Sequence, residues 1–371
     1  MSGASRTILV APDSFKGSLT SVAVARAIGD GWLRARPADT VLLSPLADGG
    51  EGTLVAVEAA GGWEWHEVAA TDPIDRPVRA RWLRSNDGRR AVVELAEASG
   101  LSRLSPDERD PTGASTYGTG EVLRSVIESG VEEVTVGIGG SATTDGGFGI
   151  LEALGVRRDP DRDGYLHLDQ LGYLGGVDVR VACDVTNPLL GAQGAAATYG
   201  PQKGATPEQV VELDAHLARY ADQVAAGVGR DERDTPGAGA AGGVGFALLS
   251  IQDRFRSFAL RPGIDLVMDL TDFGGKLRQA DLVITGEGRI DAQTAFGKTA
   301  LGVAQRAAEA GVPCVAVGGG VDPAGIEALA GVGVTVVPVI EMPQTVAEAM
   351  AAGTAPLERC GERIARLVSL W

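Results

Sequence analysis

Short β-branched or apolar runs in this chain repeatedly end in loops of glycine, small polar and charged residues. Such runs lie at residues 7–10, 41–44, 133–138, 179–182 and 281–285. Amphipathic helical stretches alternate with them, and that alternation reads as an α/β fold. In open sheets of this kind ligands bind outside the carboxyl ends of the strands. The glycine-rich loops are therefore expected to be both the turns of the fold and its functional surface.

At 371 residues the chain exceeds what one core supports, roughly 250–300 residues, so two domains are expected. A helix over residues 18–36 would bury Val22, Ala25, Ile28, Gly29 and Trp32 on one face. From Trp63 the texture changes. Residues 65–70, 78–83 and 91–95 alternate, separated by Asp72-Pro73 and Asn86-Asp87-Gly88, which predicts antiparallel strands. A helix over 115–129 ends at Gly130. A later one has Thr206 as N-cap, Pro207 in its first turn and Gln209 completing a capping box. Its apolar stripe is Val210, Leu213, Leu217, Tyr220 and Val224.

Near residue 280 the first texture returns, with a helix over 298–310 and strands at 313–317 and 334–339. A last helix carries Leu357, Cys360, Ile364, Leu367 and Val368. The expectation is one discontinuous parallel-sheet domain from residues 1–64 and 280–371, with a mixed-sheet α/β domain inserted at 65–279.

The formal charge of −16 argues against nucleic acid and anionic membrane as partners. It also opposes any polyanionic ligand, so local cations, helix N-termini or a metal ion would have to reverse the sign. Screening over about 8 Å at physiological salt permits that. Cys183, Cys314 and Cys360 show no CxxC spacing, so neither disulfides nor structural zinc is expected. Residues 1–6 carry no signal-peptide pattern and no apolar run reaches ~18 residues, which predicts a cytoplasmic protein.

Six segments carry the candidate chemistry. In Pro12-Asp13-Ser14-Phe15-Lys16-Gly17-Ser18 a strand meets a helix N-terminus, where Lys16 could hold a phosphate; the alternative is a solvated lysine. Ala47-Asp48-Gly49-Gly50-Glu51-Gly52-Thr53 sets two carboxylates among glycines, which suits Mg²⁺ or, alternatively, a capped turn. The run from Gly137 to Gly147 includes Gly139, Gly140, Ser141, Thr143 and Asp145. It fits G-x-G-x-x-A, but without the following acidic strand of a dinucleotide site it reads as a phosphate cradle.

In Ala182-Cys183-Asp184-Val185-Thr186-Asn187-Pro188, Asp184 is placed as a general base or metal ligand, or else as an Asx-turn residue, and Cys183 reads as core. Gly200-Pro201-Gln202-Lys203-Gly204 presents one lysine on a rigid turn. The last segment runs from Thr285 through Gly286-Glu287-Gly288-Arg289-Ile290-Asp291 to Gly297-Lys298-Thr299. It lacks the first glycine of a Walker A motif, which would fall on Ala292, but could place Arg289 or Lys298 at a helix N-terminus. A second G-x-G-x-x-G match, Gly237 to Gly242, follows no strand and reads as close packing.

His66, His167 and His216 lie outside these segments. G-x-S-x-G and H-E-x-x-H are both absent, so Ser-His-Asp and zincin-type hydrolases find no support.

Together, and in this order, the six segments resemble the bacterial glycerate kinases of the glyoxylate- and glucarate-pathway type. The resemblance implies a flavodoxin-like domain made from both chain ends, an inserted mixed α/β domain, and ATP-dependent phosphorylation of D-glycerate with Mg²⁺ in an interdomain cleft. It favours 2-phosphoglycerate over 3-phosphoglycerate. On this basis Asp184 is expected to orient or deprotonate the acceptor hydroxyl. Asp48 and Glu51, with Asp145, are expected to hold the metal. Lys16, Lys203, Arg289 and Lys298 would offset phosphate charge, with Lys16 and Arg289 acting in catalysis. Asp13, Ser14, Gly139, Gly140, Ser141, Thr143, Asn187, Glu287 and Asp291 complete the expected binding set. Monomer and homodimer stay equally open. The competing readings are a nicotinamide-dependent oxidoreductase and a non-catalytic sugar-acid sensor.

Overall fold

A computed structural model describes residues 5–159, 166–167, 169–292, 294 and 299–369. Strands are numbered along the chain: β1 (Thr7–Pro12), β2 (Thr40–Leu43), β3 (Trp63–Thr71), β4 (Pro77–Ser85), β5 (Arg90–Glu94) and β6 (Glu133–Gly137). Then come β7 (Arg157–Arg158), β8 (Leu166–His167), β9 (Asp178–Ala182), β10 (Ser257–Arg261), β11 (Leu282–Ile290), β12 (Cys314–Val321) and β13 (Thr335–Pro338). The chain divides into two compact units. Unit 1 is Met1–Asp48, Val55–Gly61 and Ile264–Trp371; unit 2 is Gly49–Leu54 and Gly62–Gly263.

Unit 1 holds a five-stranded sheet in the order β13-β12-β11-β1-β2, and every pairing in it is parallel. Counted within the unit, that is the flavodoxin-like order 2-1-3-4-5, with its topological switch point between β1 and β11. The helix Ser21–Ala35 starts three residues later than its pattern predicts. Thr20 caps it by accepting from the Ala23 N–H, and Phe15 and Leu19 form a bridge before it. This helix packs on Ala355–Val368 through glycines. A β-carbon at Gly31 would fall on the Glu358 carbonyl, and one at Gly361 on the Ile28 carbonyl. Leu357, Cys360 and Ile364 are buried as the stripe requires, whereas Leu367 points to solvent.

Unit 2 holds a six-stranded mixed sheet in the order β10-β9-β6-β5-β4-β3. β3, β4 and β5 are antiparallel neighbours, while β5, β6, β9 and β10 run parallel. The parallel register aligns four strand ends, Glu94, Gly137, Ala182 and Arg261, in one row. The helix Pro207–Val228 has the predicted capping box, and its stripe is buried from Leu213 to Val224. A short antiparallel ladder pairs β7 with β8. Among the described residues no helix is long and apolar enough to cross a membrane.

If the close approach of these two helices at Gly31 and Gly361 holds unit 1 together, Gly31→Ala will destabilise the protein by about 1–3 kcal/mol, the usual cost of overpacking. Gly331, where a β-carbon meets nothing closer than 3.5 Å, is the control. Urea midpoints that fall equally little for Gly31→Ala and Gly331→Ala would show that the helix pair tolerates a methyl group.

Candidate active site

In unit 1 the carboxyl ends of β1, β11 and β12 open onto a cavity of about 600 Å³. Asp13, Ser14, Lys16, Asp48, Glu287 and Arg289 all line it. Asp13 follows β1 directly and its N–H donates to the Gly286 carbonyl at 2.8 Å. Its buried carboxylate accepts from the Ser14 N–H at 2.6 Å and the Thr299 hydroxyl at 2.7 Å. Burial pushes the Asp13 pKa up, and the charge of Asp48 adds to that. Lys16 is 80% exposed and donates to Asp48 Oδ2 at 3.4 Å. The Asp48 carboxylate holds the Lys16 pKa above its ordinary value.

The sequence reads residues 285–291 as a loop, but β11 runs on to Ile290, paired with β12 as far as Ile290↔Val321. Arg289 therefore stands on a strand and not at a helix N-terminus. It is 74% exposed, with Nε 3.1 Å from Asp291 Oδ2. Glu287 is buried and accepts from the Thr294 hydroxyl at 2.6 Å. Lys298 lies outside the described residues. Thr299 begins the following helix and spends its hydroxyl on Asp13.

In unit 2 the loops converge on the row of strand ends. Gly49 has φ +82°, and a β-carbon there would collide with the Ala182 side chain. One at Gly139 would lie 2.6 Å from the Gly50 α-carbon, so the backbones at 49–50 and 137–139 approach as only glycine allows. Glu51 is exposed, and Gly140 is left-handed with φ +74°. Asp184 is exposed; its Oδ1 accepts from the Gly263 N–H at 2.9 Å, two residues past the end of β10.

Three predicted residues are occupied by the protein itself. The Asp145 carboxylate accepts from the Thr116 N–H and hydroxyl, at 2.8 and 2.7 Å, and from the N–H groups of Gly147 and Gly149, at 3.0 and 3.3 Å. Four donors fill its lone-pair directions, so it organises its loop and is not arranged as a metal ligand. Asn187 donates to the Gln193 carbonyl and the Thr198 hydroxyl and accepts from Tyr199. Lys203 is fully buried and donates to Ser141 Oγ at 2.8 Å and to the Thr143 carbonyl. Burial lowers its pKa from 10.5 to about 7, against the pull of Asp145. Cys183 is no nucleophile candidate, because burial pushes its thiol pKa up.

Sequence reasoning missed Glu94 and Arg261, which sit in the row beside Gly137 and Ala182. Glu94 is buried and accepts from the Leu54 N–H, so it ties down the Gly49–Leu54 segment. Burial, with the nearby charges of Glu97 and Glu51, raises its pKa to about 7. An acid ending a buried strand is the signal that could have found it. The Gly237–Gly242 turn packs as expected, yet under the site: Gly239 lies against Pro188 and Gly242 against Thr143. Among the described residues no group of three or more His, Cys, Asp or Glu side chains is arranged to hold a metal.

Several known proteins share this pattern. The profile of the glycerate kinase family matches residues 8–369. A glycerate kinase of Halalkalibacterium halodurans is 42% identical over 98% of each chain. A glycerate 2-kinase of Escherichia coli is 40% identical over 84% of each. A solved structure from Salmonella typhimurium LT2, named as a glycerate kinase 2, aligns with a TM-score of 0.84 at 39% identity, covering 99% of both chains.

The state of Lys203 is open to measurement. With its pKa depressed to about 7, the unfolded chain binds the proton more tightly between about pH 7 and 10.5. Stability should therefore rise with pH across that window, by up to about 1.4 kcal/mol per unit, and fall toward pH 7. Lys203→Met should remove this component, so the variant's urea midpoint will climb less from pH 7 to 9 than the wild type's. Parallel curves would mean that the buried amine stays charged.

Proposed function

The chain belongs to the glycerate kinase family, phosphotransferases with an alcohol group as acceptor, and from that premise we propose that it transfers the γ-phosphoryl group of Mg·ATP to the 2-hydroxyl of D-glycerate. The observation that carries the reading is the arrangement of loops at the carboxyl ends of parallel strands, with Asp184 held by the Gly263 N–H and exposed among them. The name of the Escherichia coli relative, glycerate 2-kinase, supports the 2-position. Neither the nicotinamide nor the sensor alternative gains support from the relatives.

Phosphoryl transfer asks a protein mainly for positioning and charge neutralisation. Asp184 accepts or orients the proton of the acceptor hydroxyl. The Gly263 N–H fixes one carboxylate oxygen and leaves the group in its working direction. Lys16 and Arg289, both mostly exposed in the unit 1 cavity, offset phosphate charge. Gly139 and Gly140 bring backbone close enough to cradle an anion, and Ser141 and Thr143 keep that loop in shape through Lys203. Asn187 and Asp145 act as positioning residues for the loops around them.

Magnesium usually takes one or two carboxylates together with substrate phosphates. Asp48, beside Lys16 and half exposed, and Glu51, also exposed, fit that demand in type and number. A magnesium ion held there would supply positive charge to offset that of the phosphates.

The direct test is ADP release with Mg·ATP and a panel of hydroxy acids, with the product's phosphate located by phosphorus NMR. Turnover with D-glycerate giving 2-phosphoglycerate is expected. A folded protein that releases no ADP with any of the acids would defeat the proposal. Asp184→Asn should lower kcat by about 10²–10⁴-fold, the range for losing a positioned base. A kcat close to wild type would move that role elsewhere.

A further inference from the structure

We propose that the unit 1 cavity is the nucleotide site and that its apolar lining receives the purine base. This rests on the kinase reading and adds to it the unit and the surface that hold the donor. The lining combines two kinds of residue: Asp13, Lys16, Asp48 and Arg289 carry charge, whereas Val339, Ile340, Val346 and Met350 are apolar.

Size decides first. At about 600 Å³ the cavity is of the class that encloses a drug-sized ligand. Glycerate is a three-carbon acid with no apolar face, so it leaves the apolar lining without a partner. A nucleoside polyphosphate has both halves, a flat ring system and a string of charged oxygens.

The exposure of the apolar lining points the same way. Val346 is 75% exposed and Met350 41%, and no residue of the helix Val346–Ala351 is buried. These side chains add nothing to the core of unit 1, yet they line the same cavity as the charged groups. The two kinds of lining are also joined. Ser18, at the end of the first loop, donates its hydroxyl to the Met350 carbonyl at 3.3 Å. A ligand whose phosphates sit at Lys16 therefore finds its apolar surface a few residues away on the same framework.

Topology agrees. The charged lining lies at the ends of β1 and β11, the point where strand order reverses and where open parallel sheets receive nucleotides. Lys16 and Arg289 face a phosphate chain while keeping their solvent access. Asp48 stands where a phosphate-bound cation would meet it.

The test is binding of a fluorescent N-methylanthraniloyl ADP with Mg²⁺ to the full chain, without glycerate. Met350→Glu should weaken binding by about tenfold or more, since a charge replaces an apolar contact. Val346→Glu, at a more exposed position, should weaken it in the same direction. Ile326→Glu, at an apolar residue outside the cavity about as exposed as Met350, should change nothing. The KM for D-glycerate should stay within about twofold of wild type in all three. Unchanged nucleotide affinity in both cavity variants, with wild-type melting temperatures, would overturn the assignment. So would a raised KM for glycerate with nucleotide binding intact, which would give the cavity to the acceptor. Absence of nucleotide binding by the wild type would overturn it as well. The two proposals fail separately: nucleotide lost on Met350→Glu but no turnover of glycerate sinks only the acceptor, and turnover with undisturbed nucleotide binding sinks only this site.

Discussion

Everything in unit 1 depends on one parallel pairing between the two ends of the chain. β1 runs beside β11 from Ile8↔Leu282 to Pro12↔Gly286. Polar contacts clamp both ends. The Thr7 N–H donates to Asp281 Oδ2 at 2.8 Å, and the Asp13 N–H to the Gly286 carbonyl at 2.8 Å. Between them Thr285 donates its hydroxyl to the Ala11 carbonyl. β1 also pairs with β2, so it is an interior strand, and losing it would cut the sheet in two. Loop-closure entropy grows only slowly with length, by about 0.6 kcal/mol per doubling. An entire second unit can therefore sit within the chain at little extra cost to this pairing. The same pairing delivers Asp13 to Gly286 and Glu287 of β11, and all three of Asp13, Glu287 and Arg289 line the cavity.

Polar residues in the glycine-rich loops divide by what their hydrogen-bonding groups already do. Asp145, Asn187 and Lys203 spend theirs inside the protein, on Thr116, on Tyr199 and on the Ser141–Thr143 loop. Lys16, Arg289, Glu51 and Asp184 stay exposed. Asp13 and Glu287 fall between these groups, each buried and each served by one threonine hydroxyl. Desolvation makes a buried carboxylate costly, and these threonine hydroxyls offset part of that cost. The second group is open to solvent. The first holds its loops in shape.

Much of this was legible in the sequence because its signals are local. The capping box at Thr206 and Gln209, the turns between β3, β4 and β5, and the glycine loops that follow strands all follow from short-range chemistry. β11 was cut short for an equally local reason: Gly286 and Gly288 argue against a strand by propensity. Pairing with β12, itself carrying Gly318, Gly319 and Gly320, overrides that preference. β10 at Ser257–Arg261 was missed although Phe258 and Leu260 alternate, and with it went Arg261. The burial of Lys203 could not be read from Gly-Pro-Gln-Lys-Gly, since a lysine on a turn is ordinarily solvated. Its fate is decided by the loop at 141–143, some sixty residues away in sequence. The chemical identity of the loop residues was legible; the division between structural and exposed members was not.

A chain with net charge −16 that acts on anions has few ways to attract them. Adding cations to the site is one, but Lys203 is withdrawn into the protein, and Lys16 and Arg289 each stand beside a carboxylate. Backbone N–H groups are the alternative, and they carry no side chain to desolvate. That is the physical case for glycine at 49, 50, 137 and 139, where backbones meet so closely that a β-carbon at 49, 137 or 139 would collide. A main-chain N–H keeps its partial positive charge at any pH and whatever the protein's net charge. Glycine backbone therefore gives a chain this acidic a way to meet an anion without recruiting further lysines or arginines.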